Sequence, residues 1–217
     1  MVYYKEAFGK ISREKRETIL SAATHEFAER GFDSANINVI AQKAGISVGS
    51  IYKYFGSKED LFLTVVHTGV ETLKGILDGI VAEETDFLGR IRQIIRAAQS
   101  FSKSNAELTK LYNEMATESH SELVWKIVSD MEGVSAQLYA GMITEAAEKG
   151  LLREGINPRL FAFFLDNLFI LLQFSYSCEY YRERMKVYVD AEIIGQDELV
   201  EEQLILFIKG AFLKGGV

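Results

Sequence analysis

The chain has 217 residues, nearly half of them hydrophobic, with a single proline and a single cysteine. That is enough apolar material to bury a substantial core in one or two domains, too little proline for long disordered linkers, and no second thiol for an internal disulfide. The net charge of −7 divides unevenly: residues 1–60 hold nine Lys or Arg against eight Asp or Glu, and the remaining 157 carry the whole acidic excess. A partner with negative charge is therefore expected at the N-terminal end.

The N-terminus shows no basic start followed by an apolar run and a cleavage site, so the expectation is a cytoplasmic chain with Cys178 as a buried, inert thiol. Lys5, Lys10, Arg13, Lys15 and Arg16 cluster near the start, and Arg13 and Arg16 in particular stand where a helix start reaches phosphates. The first long helix carries Ile19, Leu20, Ala23 and Phe27 on one stripe and ends at Gly31. Asn36 caps a second helix with Ile37, Ile40, Ala41 and Ala44 at helical spacing, and Gly45 closes it. Ser47 caps a third, which makes a tight helix-turn-helix.

At about 100° per residue, Val48, Ile51 and Phe55 share the inner side of this third helix, while Gly49, Ser50, Lys53 and Tyr54 fall on the other. That polar side reads as the face presented to a nucleic acid, with Tyr52 at its border and able to place its hydroxyl on a phosphate. Ser57 caps a fourth helix whose first turn holds Lys58, a cation beside free amides. The expected DNA contacts are Arg13, Arg16, Asn36, Asn38, Ser47, Gly49, Ser50, Tyr52, Lys53, Tyr54 and Lys58.

Gly31-Phe32-Asp33, Ile40-Ala41, Ala44-Gly45-Ile46-Ser47, Gly49-Ser50-Ile51-Tyr52, Tyr54-Phe55 and Ser57-Lys58-Glu59-Asp60-Leu61 together resemble the TetR family of one-component transcriptional regulators. Ala35 and Val39 depart from the family pattern; at Val39 an acid commonly completes a capping box. The resemblance implies a homodimer that binds an inverted-repeat DNA operator and releases it when a small-molecule effector of unknown identity is bound, without cofactor and without catalysis. The competing reading is an all-α protein interaction module whose first helices merely pack.

Beyond Asp60 the pattern stays helical, with breaks expected near Glu84 to Asp86, Ser104, Ser119 to Ser121, Gly150 to Pro158 and Ile194 to Gln196. The fold expected is all-α, with a helix-turn-helix DNA-binding domain over residues 1–57 and a helical effector-binding and dimerisation domain over 58–217. Gly69, Gly75 and Gly79 weaken the fourth helix, a candidate movable link.

A helix expected from Pro158 to about Val189 is apolar almost all round at its start, but Asp166, Asn167 and Gln173 interrupt it, which argues for a partner rather than a membrane span. With the last helix, striped by Val200, Leu204, Phe207, Ile208 and Ala211, it would form the dimer face.

Large rings and thioethers between these walls suit a small-molecule site, for which the candidates are Phe101, Tyr112, Met115, Trp125, Met131, Tyr139, Met142, Phe163, Asn167 and Phe174. His25, His67 and His120 lack metal-ligand spacing, and no nucleophile-base constellation accompanies them, so neither a metal nor an active site is expected.

Overall fold

The computed structural model describes residues 2–117 and 121–215, with the side chains of 117–131 outside the description. Within it the chain forms eleven α-helices: α1 (Glu6–Gly9), α2 (Arg13–Ser34), α3 (Ile37–Lys43), α4 (Val48–Tyr54), α5 (Lys58–Glu83), α6 (Phe87–Ser104), α7 (Ala106–Thr117), α8 (Ser121–Glu148), α9 (Pro158–Ser177), α10 (Glu179–Tyr188) and α11 (Asp197–Phe212). Two compact units emerge, one comprising Met1–Glu71 with Lys110–Asp130, the other Thr72–Thr109 with Met131–Val217.

The first unit closes around the expected stripes. Ile19, Ala23 and Phe27 of α2 are buried, as are Ile40, Ala41, Ile51 and Phe55, and the Phe27 and Phe32 rings both pack at 5.0 Å on Phe62 of α5. The caps are those the sequence predicts: Asn36 Oδ1 accepts from Asn38 N at 2.9 Å and Ser47 Oγ from Ser50 N at 3.1 Å. Gly45 has a φ of +65°. Ser47→Ala is therefore expected to cost about 1 kcal/mol, measurable as a lowered denaturation midpoint.

The second unit is held by α6, α8, α9 and α11 around Ile91, Ile95, Ile143, Phe161, Leu165, Phe169 and Ile208, with Phe161 stacked on Phe212 at 3.8 Å. Polar ties cross this packing. The buried Glu201 carboxylate of α11 accepts from Arg92 and Arg96 of α6; burial pushes its pKa up, but the two guanidiniums outweigh that and leave it below the ordinary value. Gln99 donates to the Tyr176 hydroxyl at 3.1 Å and to Asp197 O at 2.9 Å, and Ser177 Oγ donates to Ser102 O at 2.7 Å.

The helix breaks at 84–86, after Ser104, at 149–157 and before Asp197 fall where expected; Ser119 and its neighbours lie outside the described residues. Two features differ. The helix expected to run from Pro158 to Val189 breaks at Cys178, which adopts extended backbone between α9 and α10; no Pro or Gly marks that turn in the sequence. An isolated antiparallel bridge also joins Leu152 to Leu213 and ties the C-terminal end to the loop before α9.

Candidate nucleic-acid interface

The helix-turn-helix owes its rigidity to contacts that its short helices could not supply alone. A carboxylate on the buried stripe of α2, Glu26, accepts from Asn36 N at 3.3 Å and pairs with Lys43 at 3.6 Å, so it grips both ends of α3. The amide it satisfies is the one a capping-box acid at Val39 would otherwise take. Sequence reasoning missed this role. The signal was an acid at position 26 within the Ala22, Ala23, Phe27 stripe.

The N-terminal arm serves the recognition helix in the same way. Lys5 donates its backbone amide to Tyr54 O and its Nζ to Tyr52 O, both at 2.8 Å, and so satisfies carbonyls at the C-terminal end of α4 where a cation is favoured. Phe8 of α1 packs on Phe55 at 4.7 Å and on Tyr54 at 5.8 Å.

That packing corrects one expected contact. Tyr54 is only 6% exposed, turned into the seam with α1, whereas Tyr52 is 47% exposed and turned outward. The four-residue α1 is too short to read from periodicity, and it widens the buried side of α4 to include Tyr54.

Lys58 is a second correction. Its Nζ donates to Asp33 O at 2.9 Å and Ala35 O at 3.2 Å and lies 4.9 Å over the Phe32 ring, so the cation seals the C-terminal end of α2 instead of standing free. Arg16 likewise donates to Gly9 O at 3.0 Å, and Arg13 is paired with Glu17 at 2.6 Å. Left on the outer surface are Asn36, Asn38, Ser47, Gly49, Tyr52 and Lys53, all exposed, with Ser50 half-buried and its hydroxyl 2.9 Å from that of Ser47. The set is uncharged apart from Lys53: amides, hydroxyls and one ammonium, the groups that read base edges and phosphates.

The candidate effector residues are divided between the two units. Tyr139 and Met142 lie in the core of the second unit, where Tyr139 meets Phe169 edge-on at 5.6 Å; Phe174 is buried beside Tyr181, and Phe101 is half-buried on α6. Tyr112 and Met115 belong to the first unit, and Trp125 and Met131 lie outside the described side chains.

Phe163 and Asn167 face outward, a third correction. Phe163 is 60% exposed and Asn167 turns its amide back onto Phe163 O at 2.7 Å. They join Leu160, Phe164 and Leu171 in an exposed stripe along α9, and α11 exposes Leu206 and Phe207. By length and composition alone α9 could cross a bilayer core, yet its other face, with Phe161, Ala162, Leu165 and Phe169, is packed in the core of its unit.

Residues 19–65 match the family model of bacterial regulatory proteins, tetR family. The uncharacterized HTH-type transcriptional regulator YhgD of Bacillus subtilis is 25% identical over 166 residues, 76% of this chain and 86% of that protein. The fatty acid metabolism regulator protein of the same organism is 26% identical over 151 residues, 70% and 77% of the two chains. In fold, the chain superposes on the transcriptional regulator FadR from Bacillus subtilis in complex with stearoyl-CoA with a TM-score of 0.71 and 21% identity, covering 87% of this chain and 97% of that one. The capped helix-turn-helix and the family match across it agree: residues 19–65 form a helix-turn-helix domain of the tetR family of bacterial regulatory proteins.

Proposed function

We propose that the protein is a dimeric, ligand-responsive repressor in which residues 1–57 bind an inverted-repeat operator and residues 58–217 bind the effector and the second subunit. The observation that carries this reading is the exposed polar face of α4, held by Ser47, by Lys5 and by the buried Glu26 behind it. On that face Lys53 and Ser50 read base edges, Gly49 lets the backbone approach, and Tyr52 with Asn36, Asn38 and Ser47 holds the phosphates. Arg13 supports the start of α2 near the same surface.

The dimer face is the exposed stripe of α9 with Leu206, Phe207 and Gly210 of α11, an apolar patch of the kind a soluble chain covers with a partner. The likeness to FadR, which holds stearoyl-CoA, supports an apolar small molecule as effector. Helix α5 runs unbroken from Lys58 to Glu83, and Gly69, Gly75 and Gly79 soften it, so a tilt at its far end changes the separation of the two recognition helices.

Selection from random duplex DNA should enrich an inverted repeat. On the enriched duplex, Lys53→Ala should weaken binding by about 1–3 kcal/mol and relax the preference at one base pair, with a salt dependence shallower than that of the unchanged protein. Enrichment of no repeat would return the helix-turn-helix to a packing role.

A further inference from the structure

Glu26 is 5% exposed on the α2 stripe of Ala22, Ala23 and Phe27, a place where a leucine would pack without desolvating a carboxylate. Packing alone therefore does not account for the acid. Its two oxygens serve different neighbours: one accepts from Asn36 N at 3.3 Å, and the other lies 3.6 Å from Lys43 Nζ. The second tie adds little, because Lys43 is exposed and its ammonium stays hydrated with or without the acid. The first satisfies a backbone donor at the start of α3, which is the more costly group to leave unpaired.

From Asn36 the constraint passes outward. Asn36 Oδ1 accepts from Asn38 N at 2.9 Å and from Asn38 Nδ2 at 3.0 Å, so one fixed backbone position orients two exposed amide side chains. Val39 stands one turn along α3 from Asn36, and with Glu26, Asn36 and Lys43 it lines a cleft of about 460 Å³ between α2 and α3. An acid at 39 has room there and reaches the same Asn36 amide from within α3.

We infer that Glu26 is a positioning residue for operator binding: from the buried side of α2 it caps α3 in place of an acid at 39, and it acts on DNA through Asn36 and Asn38 without touching it. This rests on the operator-binding reading above and names the residue that aims the phosphate contacts of α3. The full-length protein and its variants are compared by fluorescence anisotropy on the enriched duplex, at a temperature where circular dichroism shows each of them fully folded.

Glu26→Leu is expected to weaken binding about tenfold, the worth of one or two misdirected hydrogen bonds. Glu26→Gln keeps an acceptor for the Asn36 amide and is expected to bind within about threefold of the unchanged protein, and adding Val39→Glu to Glu26→Leu should restore affinity to the same range. Asn38→Ala should cost several-fold in the unchanged protein and less than about twofold in Glu26→Leu, whereas Lys53→Ala should cost the same in both backgrounds.

A purely structural role would lower the thermal midpoint of Glu26→Leu and leave the affinity of the folded variant unchanged, and that result overturns the inference. So does a full Asn38→Ala loss in the Glu26→Leu background, or a Glu26→Gln variant as weak as Glu26→Leu. A Glu26→Leu, Val39→Glu protein that folds and still binds weakly overturns it too, and this double variant decides the matter where Glu26→Leu alone does not fold. If the unchanged protein enriches no duplex, the operator reading falls and the inference with it; if it binds and Glu26→Leu binds equally well, only the inference falls.

Discussion

Replacing Phe207 with Glu is expected to split the dimer and, with it, nearly all affinity for the inverted repeat. Phe207 is 56% exposed on α11, so the charge does not disturb the core of its own subunit; it disturbs only what covers that face. In the assembled dimer the carboxylate would be desolvated against apolar side chains with no cation provided, a cost of several kcal/mol for each of two symmetric copies. A monomer engages one half-site at a time and loses the gain from tethering two, which amounts to roughly 10²–10⁴ in apparent affinity. Sedimentation velocity at micromolar concentration, with fluorescence anisotropy on the two-site and one-site duplexes, measures both effects. A variant that sediments as a dimer would move the interface off the α9–α11 stripe.

A comparable loss, in stability this time, is expected from Gly31→Ala. Gly31 interrupts α2 at φ 69° and ψ 168°, a region open in practice to glycine alone, and a Cβ there would stand 2.4 Å from Glu114 Oε1 of α7. The carboxylate end can move aside, but the backbone cannot. The expected cost is about 2 kcal/mol, or roughly a 4–8 °C drop in the thermal midpoint. The double variant Gly31→Ala, Glu114→Ala should recover only the steric part. Full recovery would place the cost in the side-chain clash, not in the dihedral. The neighbouring Gly45 differs, since nothing lies within 4 Å of its Cβ position.

The helix-turn-helix was legible because its signals are local. Asn36, Ser47 and Gly45 each act within a few residues of where they stand, through a side-chain oxygen at a helix start or a left-handed turn, and the core stripes repeat within a single helix. For the same reason the sequence by itself determined an all-helical chain, most of its breaks and the exposed character of Lys53.

What only the tertiary structure decided were partnerships between residues distant in the chain. Lys58 presents the same residue type and spacing whether it meets a phosphate or the carbonyls of Asp33 and Ala35, some 25 positions earlier. Tyr54 lies on the polar side of its own helix until Phe8 covers it, and Glu26 gains its place only when α3 packs against α2. On α9 an apolar residue facing the core and one facing a partner look alike in sequence, so Phe161 and Phe163 could be told apart only by what packs on them: Phe161 has Phe212 stacked on it, and Phe163 stands open. Helical periodicity states which residues share a face; burial is settled by the neighbour that arrives at that face, and that neighbour comes from elsewhere in the chain.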